Sequence, residues 1–295
     1  MSNARTPLLA GFQELPPPTR YLPIFLRACH SPWTFIPQTS LIWVRGIIVA
    51  YLTILVPALL NLTTSREHPW STAFDFSVLS YSLLWLYHAI VFTWANTHCR
   101  WAEIDEDDDS WGARLLRAMS PPVQRPGDRK RFWYSLFYTT TQVFTLISAL
   151  VYWAVLVPRG YGYALGSTSP LVGAAIFLDK KWLRTLWVLN IWGVTVLVVF
   201  LEVMFLNNVK RQVPVLGHVV GLMALLAVYL GWAAIGEQVT GHAPYFFLDP
   251  DVVSNRLRIA LHSVAFTALG PLVFGLLYGL IGLREKATRR KAASA

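Results

Sequence analysis

Apolar residues in this chain run in long, nearly unbroken stretches, not in the short periodic stripes of a soluble domain. Six runs stand out, at roughly 41–62, 73–96, 133–157, 182–206, 214–236 and 258–283. Each reaches the ~20 residues an α-helix needs to cross a ~30 Å hydrocarbon core. The pattern predicts an all-α fold: a polytopic transmembrane bundle of six spans over 41–283, preceded by a cytosolic or interfacial segment (1–40) and followed by a basic tail (284–295).

Composition agrees and narrows the function. Hydrophobic residues make up 55% of the chain and charged residues 14%, which leaves little material for a separate soluble domain. The net charge of +9 would suit a nucleic-acid binder, but its placement argues against one. Seventeen Lys and Arg fall on one side of the six runs and seven on the other, with Arg45 inside the first run. That asymmetry is the positive-inside pattern, and it sets both termini in the cytosol, in the endoplasmic reticulum or the plasma membrane. The expected partners are membrane lipids and no nucleic acid.

The first 40 residues carry Pro16, Pro17 and Pro18 and scattered arginines, and do not read as a secretory leader. The aromatic stretch Tyr21 to Ile36 reads as interfacial, with Trp33 as an anchor. Cys29 and Cys99 both fall on the cytosolic side, where a disulfide is not expected. Asn207 to Val213 is so short a link that runs 4 and 5 should pack as an antiparallel pair. The loop 97–132, with its acidic run 103–109, reads as a solvated linker. Gly275 and Gly279, four apart in the sixth run, would let another helix approach closely: a neighbour within the chain by default, or a second copy in a homodimer.

Ionisable residues inside apolar runs are costly and therefore informative. Arg45, His88, Glu202 and His218 lie four to eight residues from the cytosolic boundary of four different runs, at similar depth. In the third run Tyr134, Tyr138, Thr141, Thr145, Ser148 and Tyr152 recur at steps of four and three, a hydroxyl row along one helix face, with Phe137, Val143, Leu146 and Val151 opposite. The row would line a polar cavity or bond to neighbouring helices. Its lower part, Tyr138 to Gln142, reaches the depth of the ionisable group. No metal-ligand spacing, phosphate-cradling glycine loop or nucleophile elbow occurs, so no metal or cofactor is expected.

Several short strings in the second half carry a family resemblance: Phe137-Tyr-Thr, Val151-Tyr-Trp, Leu201-Glu202, Tyr229-Leu-Gly-Trp232, and Gly-His-Ala-Pro-Tyr-Phe-Phe-Leu-Asp over 241–249. Over about 130–285 the chain resembles the androgen-induced-gene-like membrane proteins, most of all their fungal branch, and more distantly the rolling-stone-like proteins. The resemblance implies a multi-pass fold and, in the hydrolases of that family, cleavage of fatty acid esters of hydroxy fatty acids by a Thr and a His. The family His lies about three turns before the Leu-Glu pair; here that region reads Leu189-Asn190-Ile191-Trp192, and Asn190 cannot serve as a general base. Thr39 is the resemblance-based nucleophile, and Thr141 beside His218 or His88 is the pair suggested by depth. Arg45, Tyr138, Gln142, Asn190 and Glu202 complete the expected polar cluster. Four functions stay open: a lipid ester hydrolase, a non-catalytic lipid-binding scaffold, a small-solute transporter, and an isoprenoid cyclase using Glu202 or Asp75.

Overall fold

The computed structural model describes residues 23–64, 69–100, 110–122, 129–159, 186, 188–241, 243–250 and 252–293. These residues are helical throughout their ordered elements, with no strand among them. The helices are α1 (Ile24–Cys29), α2 (Gln38–Thr64), α3 (Phe76–Arg100), α4 (Trp111–Met119), α5 (Lys130–Val151), α6 (Asn190–Leu206), α7 (Val215–Thr240) and α8 (Arg256–Ala293). A 3-10 turn, Pro69–Phe74, leads into α3, and α5 is prolonged by a π turn, Tyr152–Leu156, and a 3-10 turn, Val157–Arg159.

Five helices are long and apolar enough to cross a membrane: Gln38–Val56, Phe76–Arg100, Lys130–Arg159, Val215–Thr240 and Arg256–Arg289. That is the architecture of an integral membrane protein. The expected fourth span is described as helix only from its apolar stretch Asn190–Leu206 and the few residues before it, and 182–185 and 187 lie outside the described residues. Local chemistry sets several boundaries. Asp75 caps α3 by accepting from the Ser77 N–H at 2.8 Å, and Ser110 caps α4 by accepting from Ala113 N–H at 3.2 Å. Gly241, at φ 71°, ends α7 in the left-handed conformation and returns its N–H to Glu237 O at 2.8 Å.

α5 is the centre of the bundle. It packs against α3, α6, α7 and α8, and α1 touches it as well. Both sides of the helix are therefore buried, Val143 and Val151 as fully as Tyr138 and Thr141. The hydroxyl row is buried against other helices. The expected antiparallel pairing of runs 4 and 5 is not how the chain packs: α6 lies on α5 and α8, and α7 pairs with α8. The link 207–213 is short enough for a pair, but α8 offers closer packing, because Gly270 lets Leu226 approach to within 2.8 Å of where a Cβ would stand.

Lys130, Arg131, Lys210, Arg211, Arg284 and Lys286 gather at one end, here the basic end. The opposite end is aromatic: the Phe76 ring lies 5.0 Å from Phe144, 4.7 Å from Tyr229 and 5.2 Å from Phe266. Gly236 seats Phe74 so closely that a Cβ there would stand 2.3 Å from the ring.

Two loop expectations change. Trp33 is not a free anchor, because its indole N–H donates to Met204 O at 2.7 Å and its ring lies against Phe205. The loop 97–132 contains α4, joined to α3 through the Thr97 hydroxyl donating to Met119 O at 2.9 Å. α4 turns Ala113 inward and leaves Trp111, Leu115 and Met119 exposed at steps of four, with exposed Arg114 and Arg117 beside them.

Candidate functional site: a buried ionic clamp and a Ser–His pair at the basic end

The last turn of α6 is a π turn, Glu202–Leu206, closed by Asn207 N–H on Glu202 O at 3.2 Å. Arg45 from α2 meets it from one side. Its Nη2 donates to Glu202 Oε1 at 3.2 Å, to Leu206 O at 2.6 Å and to Ala28 O at 2.8 Å. Nη1 stands 3.2 Å from Glu202 Oε2, an ionic contact without hydrogen-bond alignment. The Tyr87 hydroxyl donates to Glu202 Oε1 at 2.6 Å, and Asn207 Nδ2 reaches the same oxygen at 3.1 Å and the Tyr138 hydroxyl at 3.2 Å. From the other side Arg284 of α8 donates to Val203 O at 2.7 Å, Asn207 O at 2.8 Å and Asn207 Oδ1 at 3.0 Å, and also to Val209 O.

Arg45, Glu202, Tyr87, Tyr138 and Asn207 are fully buried, and Arg284 is 1% exposed. Two guanidiniums and one carboxylate leave one positive charge, which lies against the backbone carbonyls at the C-terminal ends of α1 and α6. Cations are favoured there, because the last carbonyls lack intrahelical partners and carry the negative end of the helix dipole. The group is thus a clamp that joins α1, α2, α3, α5, α6 and α8.

The other expected site residues fall in different places. His88 is fully buried beside Tyr87, its ring 5.3 Å from that phenol, and neither ring nitrogen has a hydrogen-bond partner among the described residues. Gln142 is equally buried, with both amide atoms in the same condition. Asn190 does not belong to the cluster. It lies twelve residues before Glu202 on α6, about 18 Å by helical rise, and its amide donates to Leu186 O at 2.5 Å. Thr39 is exposed on the first turn of α2.

Thr141 does not meet a His. Its hydroxyl donates to Phe137 O at 2.9 Å, and Thr145 repeats the pattern on Thr141 O at 2.9 Å. Higher up, Ser148 and Ser77 both receive the Trp192 indole N–H, at 3.1 and 3.2 Å, and that indole stacks on Tyr152 at 3.8 Å.

His218 pairs with Ser135. Ser135 Oγ lies 2.6 Å from His218 Nε2, and His218 Nδ1 lies 2.8 Å from Pro214 O. A carbonyl can only accept, so Nδ1 carries a proton, and the neutral ring then presents Nε2 as an acceptor to the serine. Ser135 Oγ also donates to Gln212 Oε1, an acceptor that competes with His218 Nε2 for the one hydroxyl proton, and Gln212 Nε2 donates to Lys210 O at 3.1 Å. Phe132 and Phe274 flank the imidazole, with ring centroids at 5.3 and 6.2 Å. The sequence pattern does not single out Ser135, although Ser135, Thr139 and Gln142 form a second polar row at steps of four and three.

Nearby Cys29 donates to Phe25 O at 3.3 Å, and burial pushes its thiol up to about 12. Burial lowers the imidazole of His30, which meets His98 edge-on at 5.8 Å. Among the described residues no three His, Cys, Asp or Glu converge as metal ligands. A shallow apolar groove between α7 and α8, lined by Met223, Leu230, Ser263, Val264, Thr267 and Ala268, lies outside this constellation. Comparison with known proteins returned no match: no family model fits the chain, and no curated protein or solved structure is significantly similar to it.

Proposed function

We propose that the chain is a six-span membrane protein with both termini in the cytosol, of the endoplasmic reticulum or plasma membrane, acting as a lipid ester hydrolase of the androgen-induced-gene-like type. The observation that carries the reading is the 2.6 Å Ser135–His218 contact with the ring proton held on Pro214 O. A hydroxyl is a poor nucleophile until an adjacent base accepts its proton. In this reading Ser135 Oγ attacks the ester carbonyl while His218 Nε2 takes its proton. The imidazolium then protonates the departing alkoxide, and a water molecule, activated by the same nitrogen, frees the acyl group from Ser135. Gln212 becomes a donor to the oxyanion only when its amide turns over, since Oε1 faces Ser135 and Nε2 is held on Lys210 O. Ser135 lies five residues into α5, about 7.5 Å by helical rise from its basic start, at the end of the span where this reading puts the lipid ester groups. The exposed row Trp111, Leu115 and Met119 on α4 supports contact with the same lipid surface.

This assignment replaces Thr141 with Ser135 as the nucleophile. A serine-reactive phosphonate probe on the purified chain, read by mass spectrometry, should modify Ser135. Ser135→Ala and His218→Ala should abolish labelling and ester cleavage, and Thr141→Ala should retain both. Labelling that survives Ser135→Ala overturns the assignment.

A second reading is the non-catalytic lipid-binding scaffold. It is favoured by the 3% exposure of Ser135 and by the Gln212 contact on the same hydroxyl, an arrangement suited to tying α5 to the 207–214 link. A parent protein that neither labels nor hydrolyses, with a melting temperature that falls in Ser135→Ala, supports this reading instead. A homodimer through Gly275 and Gly279 belongs to either one: both glycines are exposed, and a Cβ at either would meet nothing within 4 Å among the described residues.

A further inference from the structure

α4 lies in the connection between α3 and α5, at the basic end, and two contacts fix it against the bundle. Near its C-terminus the Thr97 hydroxyl donates to Met119 O at 2.9 Å, one turn before α3 ends at Arg100. Near its N-terminus Ala113 is buried. Among the described residues α4 packs chiefly on α3. A helix lying across the end of the bundle would rest on the ends of several spans. α4 is therefore attached at the side of α3, at the depth where that span leaves the membrane.

The rest of its surface is divided. A step of four residues turns a helix face by only about 40°, so Trp111, Leu115 and Met119 share one narrow strip. Ala113 lies nearly opposite Leu115, and the strip therefore points away from the bundle. Arg114 and Arg117 are exposed on the flank between the two. Trp111 is 78% exposed, and an indole with that much bare surface is costly in water. Trp133, 63% exposed on the first turn of α5, stands at the same end, and tryptophan at the end of a span is the usual mark of the lipid–water boundary. A strip of Trp, Leu and Met with charge on its flank is the division that a helix lying in that boundary requires. The exposed strip continues the lipid-facing surface of the spans to which α4 is tied.

We infer that α4 is an interfacial helix of the leaflet at the basic end. Its axis follows the membrane surface, Trp111, Leu115 and Met119 enter the acyl chains just below the headgroups, and Arg114 and Arg117 stay at headgroup level. The inference rests on the spans and not on the Ser135–His218 chemistry. The test uses the full chain with Cys99→Ser, whose remaining Cys29 is buried, in phosphatidylcholine nanodiscs. An NBD fluorophore is attached at Leu115→Cys and, in a second preparation, at Arg117→Cys. A phosphatidylcholine with a nitroxide near the top of its acyl chain quenches probes in the bilayer, and iodide quenches probes in water. The Leu115→Cys probe should lose more fluorescence to the nitroxide lipid than to iodide, and the Arg117→Cys probe should show the reverse order. Trp111→Cys, on the same strip, repeats the measurement should Leu115→Cys fail to fold. Iodide quenching of the Leu115→Cys probe as strong as that at Arg117→Cys puts the strip in water and overturns the inference. Shielding of the strip from both quenchers means that a protein surface covers it, from this chain or a second copy, and overturns the inference as well.

Discussion

Glu202 accepts from three side chains, and Arg45 holds it while also closing two helix ends. Removing either partner strands a charge in a fully buried setting. Glu202→Ala should therefore lower stability by about 3–5 kcal/mol, read as a large drop in melting temperature and in recovery of monodisperse protein. The double change Arg45→Met with Glu202→Leu should recover much of that loss, because the net charge of the clamp is then unchanged and Arg284 keeps its backbone carbonyls. A second expectation concerns the thiols. With its pKa raised to about 12, Cys29 stays protonated at pH 8, so maleimide should modify half-buried Cys99 and spare Cys29 until the chain is denatured. Peptide mapping of labelled protein checks this. These residues differ in how legible they were. Arg45, His88, Glu202 and His218 stand out in sequence because ionisable groups rarely interrupt apolar runs. Ser135 carries no such mark: a serine in a span is ordinary, and its partners arrive from the 207–214 link and from α7.

At the scale of elements, the six apolar runs and the helices agree to within a few residues at most of their described ends, since run length and the need to satisfy backbone groups in lipid leave little choice. Packing partners were not readable. α6 and α7 are joined by a short link, yet α8 separates their contacts, because glycines at 221 and 270 decide which helices approach closely. α4 was hidden by the acidic run before it, although Ser110 and the spacing of Trp111, Leu115 and Met119 mark an amphipathic turn. The seating of Phe74 on α7 gives an element-level test. Gly236→Ala pushes a methyl into the ring at 2.3 Å, with Phe74 Cβ at 2.7 Å, so rotation of the ring alone does not relieve it. A loss of about 1–3 kcal/mol is expected, whereas Gly231→Ala, with open space around it, should be neutral in the same melting assay.

For the whole molecule, the 17-to-seven bias of basic residues predicts that tags at the two termini share one side of the membrane. Protease treatment of sealed microsomes should digest both tags, and protection of either would rule out an even number of spans with cytosolic ends. The clamp adds a temporal meaning to this architecture. The carbonyls of Val203, Asn207 and Val209 wait for Arg284, which the ribosome makes some eighty residues later, at the end of the last span. Until α8 enters the membrane, the close of α6 stays open and the bundle is unfinished. A chain cut before position 284 would leave those carbonyls, and Asn207 Oδ1, without the guanidinium that closes them. The close of α6 thus depends on a residue made long after α6 itself.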